Sequence, residues 1–306
     1  MSKKFQFLFG WLLIFSVILS ACAPAAAEVT EAPVVTEAPV VEEPALDLQA
    51  LFATLVSELP ADKGYGTIKP AALSEELADK PPFLLDVREA TELETDGYIE
   101  GAVNIPLREL LANLDKLPSD QPIVVYCVTG HRAGMAMAAL KLLGYTDVRN
   151  LAGGLNGWKK AELSVATGSL PAAAAAISTP AIADQALFDL LNGFLTALPN
   201  DFHAIKFDKL AESLAGSTPP TIIDIRTADE FAKDGYIEGA VNVPMQEIFS
   251  SLDKLPAKDA AIVVHCVSGH RGSIVVTGLR LLGYTNVVNL AGGLNSWVAA
   301  ELPVEK

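Results

Sequence analysis

Two cysteines occupy equivalent places in a stretch of sequence that occurs twice. Residues 122–132 (PIVVYCVTGHR) return as 261–271 (AIVVHCVSGHR), so Cys127 and Cys266 each follow an apolar run and precede a glycine and an arginine. The apolar, β-branched run predicts a buried strand, and the residues after the arginine predict a helix. A thiol on a tight turn into a helix is placed for nucleophilic chemistry, because a helix N-terminus and a nearby cation favour the thiolate.

The residues that follow each cysteine have the composition of an anion-binding loop. A glycine lets the backbone curl so that several N–H groups point inward. The arginine supplies a cation, and the histidine before it adds donors that can carry charge near neutral pH. The sequence therefore predicts two anion-binding cups, each with a nucleophilic sulfur at its base. Their predicted binding residues are Val128, Thr129, Gly130, His131 and Arg132, and Val267, Ser268, Gly269, His270 and Arg271.

Strands and helices are predicted to alternate in the sequence that positions these loops. The apolar patterns predict helices at residues 46–59, 107–117, 132–143 and 154–160, and strands at residues 83–87, 102–105, 121–126, 148–151 and 221–225. Such alternation predicts an α/β fold, with a parallel sheet covered by helices on both faces. Ligands bind beyond the carboxyl ends of such strands, which is where both cysteines lie.

The whole folded part of the chain is an internal duplication. Residues 96–106 (DGYIEGAVNIP) return as 234–244 (DGYIEGAVNVP), and residues 150–156 (NLAGGLN) return unchanged as 289–295. We therefore predict two domains, repeat 1 at residues 46–165 and repeat 2 at residues 182–306. The intervening residues 166–181 are rich in alanine and contain two prolines, which is typical of a linker.

The N-terminus has the pattern of an export signal. Two lysines precede an apolar run, and residues 1–21 end in Leu-Ser-Ala before Cys22. This stretch resembles the bacterial lipoprotein box, which implies that Cys22 becomes the lipidated first residue of an exported chain, anchored to the outer face of a bacterial membrane, at the cell surface or in the periplasm. An uncleaved anchor helix and a plain signal peptide are the alternatives. Residues 22–45, rich in Pro, Glu and Ala, predict an extended tether.

Composition and charge exclude some classes of function. Hydrophobic residues make up 51% of the chain and charged residues 19%, which is typical of globular domains. The formal net charge of −15 opposes binding to nucleic acid. The sequence contains no Gly-rich nucleotide loop, no His/Cys metal cluster and no paired acid site, so we predict neither a cofactor nor a metal.

In combination, the repeated motifs resemble those of the rhodanese (thiosulfate sulfurtransferase) family. They are Asp-x-Arg-x-x-x-Glu at Asp86, Arg88 and Glu92 and at Asp224, Arg226 and Glu230, Cys-x-x-Gly-x-Arg in each cup, and Ala-Gly-Gly-x-x-x-Trp at residues 152–158 and 291–297. The resemblance covers residues 46–163 and 182–303 and implies two tandem rhodanese-like domains. It also implies that Cys127 and Cys266 accept a sulfane sulfur from a small anionic donor such as thiosulfate. The resulting persulfide, held by the loop N–H groups, passes to a thiol or cyanide, and Arg132 and Arg271 bind the donor.

Other interpretations of the same residues stay open. Phosphatases and arsenate reductases of related fold use a loop with five residues between cysteine and arginine, whereas four separate them here, which favours sulfur transfer. A persulfide carrier without turnover, or a thiol-redox binding protein outside the cytoplasm, is the alternative function, and a Cys127–Cys266 disulfide is a structural alternative. The oligomeric state is left open.

Several residues of the motifs are predicted to be structural rather than catalytic. We expect the Asp-x-Arg pairs to hold strand to loop, the tryptophans to lie in the core, and the glutamates to lie on helix faces. These residues are Asp86, Arg88, Glu92, Trp158, Asp224, Arg226, Glu230 and Trp297.

Overall fold

The computed structural model describes residues 46–168, 175–177 and 182–306. The predicted signal peptide, the tether, the lipidation site Cys22 and part of the predicted linker lie outside the described residues. Residues 45–306 form one compact unit that contains both repeats.

Each repeat builds one five-stranded parallel sheet, which confirms the predicted α/β fold. The strand order is β1-β5-β4-β2-β3 in repeat 1 and β6-β10-β9-β7-β8 in repeat 2, so the strand that ends at the cysteine is central in both. The strands of repeat 1 are β1 (Thr67–Ile68), β2 (Phe83–Asp86), β3 (Val103–Asn104), β4 (Ile123–Tyr126) and β5 (Val148–Leu151). Those of repeat 2 are β6 (Ala204–Ile205), β7 (Thr221–Asp224), β8 (Val241–Asn242), β9 (Ile262–His265) and β10 (Val287–Leu290).

Helices cover both faces of each sheet. Repeat 1 contains α1 (Leu48–Ser57), α2 (Pro70–Asp79), α3 (Ala90–Asp96), α4 (His131–Leu142) and α5 (Gly154–Lys160). Repeat 2 contains α6 (Gln185–Thr196), α7 (Phe207–Leu214), α8 (Ala228–Asp234), α9 (His270–Leu281) and α10 (Gly293–Ala299). Among the described residues, no helix combines the length and apolar character needed to cross a bilayer.

The α-helix predicted at residues 107–117 is absent from the structure. Residues 107–117 form two short 3₁₀ helices, Leu107–Glu109 and Leu111–Lys116, instead of a single α-helix. The second contains Asn113 at φ −124°, outside the helical region. The apolar spacing is met all the same, because Leu107, Leu111 and Leu114 are buried.

The leading helix of each repeat packs against the other repeat. Helix α1 begins at Asp47, whose side chain accepts a hydrogen bond from Ala50 N. It then lies against a 3₁₀ turn of repeat 2 (Ile248–Ser250), where the Phe52 and Phe249 rings are 5.3 Å apart. Helix α6 lies in the same way against the 3₁₀ turns of repeat 1. The predicted domain boundaries therefore separate two segments whose leading helices each contact the other segment.

The contacts of α1 and α6 with the opposite repeats give the two repeats a shared core. One hydrophobic cluster joins α1 and α4 to α6 and α9, while smaller clusters under α2 and α5, and under α7 and α10, stay within one repeat. Helices α4 and α9 approach closely, since a Cβ added at Gly134 would collide with Ser273 Oγ. Trp158 and Trp297 lie in the smaller clusters, as predicted.

Candidate active site

Each cysteine lies at the N-terminus of a long central helix. Cys127 follows β4, and Gly130, at φ +98°, forms the N-cap of α4. The Cys127 Sγ accepts a hydrogen bond from Gly130 N at 3.2 Å, and Cys266 Sγ accepts one from Gly269 N at the same distance. A φ in the left-handed region favours glycine, which explains the glycine in each loop. Both thiols are free and only 1% exposed.

The first carbonyl groups of the cysteine loop accept hydrogen bonds from the helix that follows β5. Leu155 N donates to Cys127 O at 2.8 Å, and Asn156 N donates to Val128 O at 3.0 Å. These donors belong to α5. This helix can approach the loop so closely because Gly154 has no Cβ, which at this position would collide with Cys127 O. The repeated Ala-Gly-Gly motif thus orients the loop, and Gly293 does the same beside Cys266.

Four backbone donors per cup are left for a ligand. Within the described part of the chain, no hydrogen bond uses the N–H groups of Val128, Thr129, His131 or Arg132, nor those of Val267, Ser268, His270 or Arg271. Unpaired N–H groups around a helix N-terminus bind anions. In both described loops these N–H groups are therefore available to an anion.

The loop arginine is already paired with a carboxylate. Arg132 donates to both oxygens of Glu92 at 2.6 and 2.7 Å, and Arg271 donates to both oxygens of Glu230 at 2.7 and 2.8 Å. Burial acts to raise the pKa of Glu92, but the hydrogen bonds and charge of Arg132, the backbone N–H of Glu89 and the charge of Arg88 together outweigh it, so the pKa is lowered. The two glutamates lie in helices α3 and α8, as expected, and each also neutralises and orients the arginine of its cup.

Aromatic side chains of the opposite repeat complete both cups. The Arg132 guanidinium carbon lies 5.0 Å from the ring centroid of Phe202, and that of Arg271 lies 4.3 Å from the ring of Tyr65. A cleft of about 460 Å³ in front of Cys127 is lined by repeat 1 residues such as Arg108 and by Asn200, Phe202 and Ala291 of repeat 2. Access to Cys127 is therefore bounded by both repeats.

The two cups differ in the residues at their rims. In cup 1, Arg108 donates to Glu89 at 2.8 Å and to the backbone oxygens of Leu198 and Pro199 at 3.0 and 2.9 Å. The matching position in repeat 2 is Gln246, which makes one long bond of 3.4 Å to Leu59 O. Glu89 is matched by Thr227 and Phe202 by Tyr65. Cup 1 thus has an extra ion pair and cup 2 an extra phenol.

The two loop histidines are not charged donors, which corrects that expectation. His131 Nε2 bonds Phe202 O at 2.8 Å and His270 Nε2 bonds Tyr65 O at 2.9 Å, so each imidazole reaches the other repeat. Burial lowers the pKa of both His131 and His270 to about 4, so both rings are neutral near pH 7. His131 and His270 can therefore contribute to the cups through their backbone N–H groups and not through charged side chains.

The Asp-x-Arg pairs hold the end of a strand to the loop that follows the next helix, as predicted. Arg88 Nη2 donates to Asp86 Oδ2 at 2.6 Å and to Gly97 O at 2.9 Å, and both side chains are fully buried. Arg226 repeats these contacts with Asp224 and Gly235. Residues 46–168, 175–177 and 182–306 contain no group of three or more His, Cys, Asp or Glu side chains arranged to hold a metal ion.

Comparison with known proteins identifies the family of this arrangement. The sequence model of the rhodanese-like domain matches residues 69–161 and 207–300. A sulfurtransferase of Allochromatium vinosum is 35% identical over 100 residues, which are 33% of this chain and 92% of that protein. A putative thiosulfate sulfurtransferase, SseB of Mycobacterium tuberculosis, is 26% identical over 258 residues, covering 67% of this chain and 84% of that protein. The chain spans 59% of a further relative, the uncharacterized protein YqhL of Bacillus subtilis, at 41% identity over 75 residues, 24% of this chain.

Proposed function

Because the chain belongs to the rhodanese-like domain family, we propose that it is a sulfurtransferase that moves sulfur from a donor such as thiosulfate through a persulfide on Cys127 and on Cys266. The observation that supports this most directly is the position of each thiol. It lies beneath four unpaired backbone N–H groups at a helix N-terminus. These groups can stabilise a thiolate and then a terminal persulfide sulfur.

The proposed reaction has two displacement steps. The thiolate attacks the outer sulfur of thiosulfate, the S–S bond breaks, and sulfite leaves with the bonding electron pair. A nucleophilic acceptor, cyanide or a thiolate, then attacks the terminal sulfur of the persulfide. This second step releases thiocyanate or a new persulfide and restores the cysteine thiolate, so no outside oxidant or reductant is needed.

Each part of the cup has a role in this scheme. The loop N–H groups hold the negative charge that moves from thiolate to persulfide. Arg132 and Arg271, oriented by their glutamates, face the anionic end of the donor with only part of their charge available. The aromatic rings of Phe202 and Tyr65 border these arginines and limit access for water.

The first test is steady-state thiosulfate:cyanide sulfurtransferase activity of the purified protein. Cys127→Ser and Cys266→Ser are compared with the double variant, and each single variant serves as the control for the other. We expect turnover in both single variants, with a persulfide mass on the remaining cysteine, and none in the double variant. Activity that persists in the double variant would overturn the proposal, and persulfide without turnover would favour a sulfur carrier.

Because the rims of the two cups differ, we expect the two sites to bind a sulfur donor with different affinity. With its Arg108–Glu89 ion pair, cup 1 presents a more charged entrance than cup 2, where Gln246 and Thr227 stand. We expect the two single-cysteine variants to differ in KM for thiosulfate. Arg108→Gln, which gives cup 1 the residue of cup 2, should move the KM of the Cys266→Ser variant toward that of the Cys127→Ser variant.

We also propose that the protein is exported and lipid-anchored through Cys22, at the outer face of a bacterial membrane. The support is the Leu-Ser-Ala-Cys sequence after an apolar run. Metabolic labelling with a radioactive fatty acid should mark the wild-type protein and not Cys22→Ser. Equal labelling of the Cys22→Ser variant would exclude this anchor.

A further inference from the structure

Two asparagines next to the cups have no part in the reaction proposed above. Asn150 and Asn289 begin the repeated Asn-Leu-Ala-Gly-Gly sequence, and both lie in the strand beside the cysteine strand. Both side chains are fully buried. A buried amide in a parallel sheet carries a desolvation cost unless it is hydrogen-bonded, so its partners show what it does.

Each asparagine amide joins the two active-site loops. Asn150 Nδ2 donates to Gly130 O of its own repeat at 2.7 Å and bonds His270 Nδ1 of the other repeat at 2.7 Å. Asn289 Nδ2 makes the reciprocal pair of bonds, to Gly269 O at 2.7 Å and to His131 Nδ1 at 2.7 Å. The four side chains therefore form two Asn–His pairs across the interface between the repeats. The bonds to Gly130 O and Gly269 O, each in the residue before a loop histidine, close these pairs into a circuit.

The direction of these bonds follows from their chemistry. Gly130 O can only accept, so the amide nitrogen of Asn150 must face it, and the second hydrogen of that nitrogen goes to His270 Nδ1. The imidazole then carries its proton on Nε2 and donates it to Tyr65 O. Within the described residues, the oxygens Asn150 Oδ1 and Asn289 Oδ1 are buried without a hydrogen-bond partner. Both partners at this position are acceptors, so the amide uses its two N–H donors here. Its oxygen stays unpaired, which has an energetic cost.

The circuit reaches each sulfur atom through a single glycine residue. Asn150 holds the carbonyl of Gly130, and the N–H of Gly130 donates to Cys127 Sγ at 3.2 Å. Asn150 also holds His270, the residue after Gly269, whose N–H donates to Cys266 Sγ. The Asn150 amide thus contacts the glycine that donates to Cys127 and the residue that follows the glycine donating to Cys266.

We infer that Asn150 and Asn289 are positioning residues that each serve both cysteines, so that a change in the loop of one repeat alters the reactivity of the cysteine in the other. This inference rests on the proposed function only in taking the cysteines as the reacting groups. The coupling passes through the Asn–His bonds, because these are the bonds that join one loop directly to the asparagine orienting the other.

The test measures Cys127 while the change is made in repeat 2. In a Cys266→Ser background, the rate at which iodoacetamide alkylates Cys127 is followed by mass spectrometry of its peptide, from pH 5 to 9. His270→Gln retains a donor near the Nε2 position and loses the acceptor for Asn150. His270→Asn retains an acceptor near the Nδ1 position and loses the bond to Tyr65 O.

We expect His270→Gln to slow alkylation of Cys127 about fivefold or more, the lower end of ordinary coupling between sites, and to shift its pH profile. His270→Asn should stay within about twofold of the parent, because the Asn150 bond survives, and this variant is the matched control. Equal effects of the two variants, or a larger effect of His270→Asn, would indicate general damage to the interface and overturn the inference. So would a Cys127 rate that neither variant changes.

Urea unfolding of each variant shows whether a slower rate follows lost stability, which the inference does not predict. Alkylation requires no sulfur transfer, so this outcome is separate from that of the proposed function. A protein without turnover that still shows the His270→Gln effect would retain the coupling and lose the enzyme assignment.

Discussion

The charge available to a donor at each cup is set by one carboxylate. Glu92 binds Arg132 with both oxygens, and its own backbone N–H and that of Glu89 complete the capping box of α3. The same carboxylate therefore begins a helix and holds the arginine. The proposed thiosulfate dianion would therefore meet a nearly neutral ion pair, and the backbone N–H groups of the loop would supply its other contacts.

This pairing leads to a prediction at the residue scale. Glu92→Gln removes the negative charge and keeps the shape, so we expect KM for thiosulfate at Cys127 to fall about three- to tenfold, which corresponds to about 1 kcal/mol of regained attraction. The measurement is made in the Cys266→Ser background. The control is Glu76→Gln, which breaks the ion pair of Glu76 with Arg149, away from the cups, and should leave KM unchanged. A rise in KM for Glu92→Gln would show that orientation of Arg132 outweighs its charge.

The first helix of each repeat, α1 or α6, packs against the other repeat and so links the shape of one cup to the other repeat. Helix α6 begins at Asp184, whose side chain caps Leu187 N, and it then contacts the 3₁₀ turns of repeat 1. Arg108, in the first of these turns, binds the carbonyls that follow α6. Since Phe202 lies just beyond those carbonyls and borders Arg132, α6 contributes to the shape of cup 1.

At the scale of this element, two adjacent leucines provide a matched pair. Leu191 is fully buried, and Leu190 is 36% exposed. We expect Leu191→Ala to lower the free energy of unfolding by about 2–5 kcal/mol, the usual cost of such a cavity, and Leu190→Ala to lower it by less than about 1 kcal/mol. Because the core is shared, both repeats should unfold in one transition, observed by circular dichroism and by tryptophan fluorescence. Two separate transitions in the Leu191→Ala variant would contradict a shared core.

For the whole molecule, the buried neutral histidines make the stability depend on pH. All four histidines of the chain have a lowered pKa, chiefly through burial, to about 4 for His131, His203 and His270. An unfolded chain binds these protons near pH 6.5, whereas the folded protein resists them until about pH 4. Over that window the unfolded state binds more protons, so stability falls as the pH falls.

The corresponding prediction is a steep loss of stability between pH 6.5 and 4. His131 and His270 are buried, and each should contribute roughly 2–4 kcal/mol to the loss over the whole window. Urea unfolding at intervals from pH 7.5 to 4.5 measures it. The double variant His131→Asn with His270→Asn, which cannot titrate there, should give a clearly flatter profile. An equally steep profile for this variant would assign the acid sensitivity to other groups.

Local sequence alone indicated where the two cysteine loops lie and which type of sheet carries them. Strand pattern, turn glycine and cysteine–arginine spacing act within about a dozen residues, so the cups at Cys127 and Cys266 and the parallel α/β repeats could be predicted. The 3₁₀ turns at 107–116 were missed because an apolar pattern reports burial better than helix type. The strands β1 and β6 are two residues long and too short to give a pattern.

The tertiary structure decided what surrounds the thiols. The Arg132–Glu92 pair joins residues 40 apart, and the Asn150–His270 bond joins residues 120 apart, so neither leaves a periodic trace in the sequence. The neutral histidines likewise depend on burial by the opposite repeat. Contacts of this kind form only when both repeats close over one core. For that physical reason the sequence indicated two sites, and the structure made each of them dependent on the other repeat.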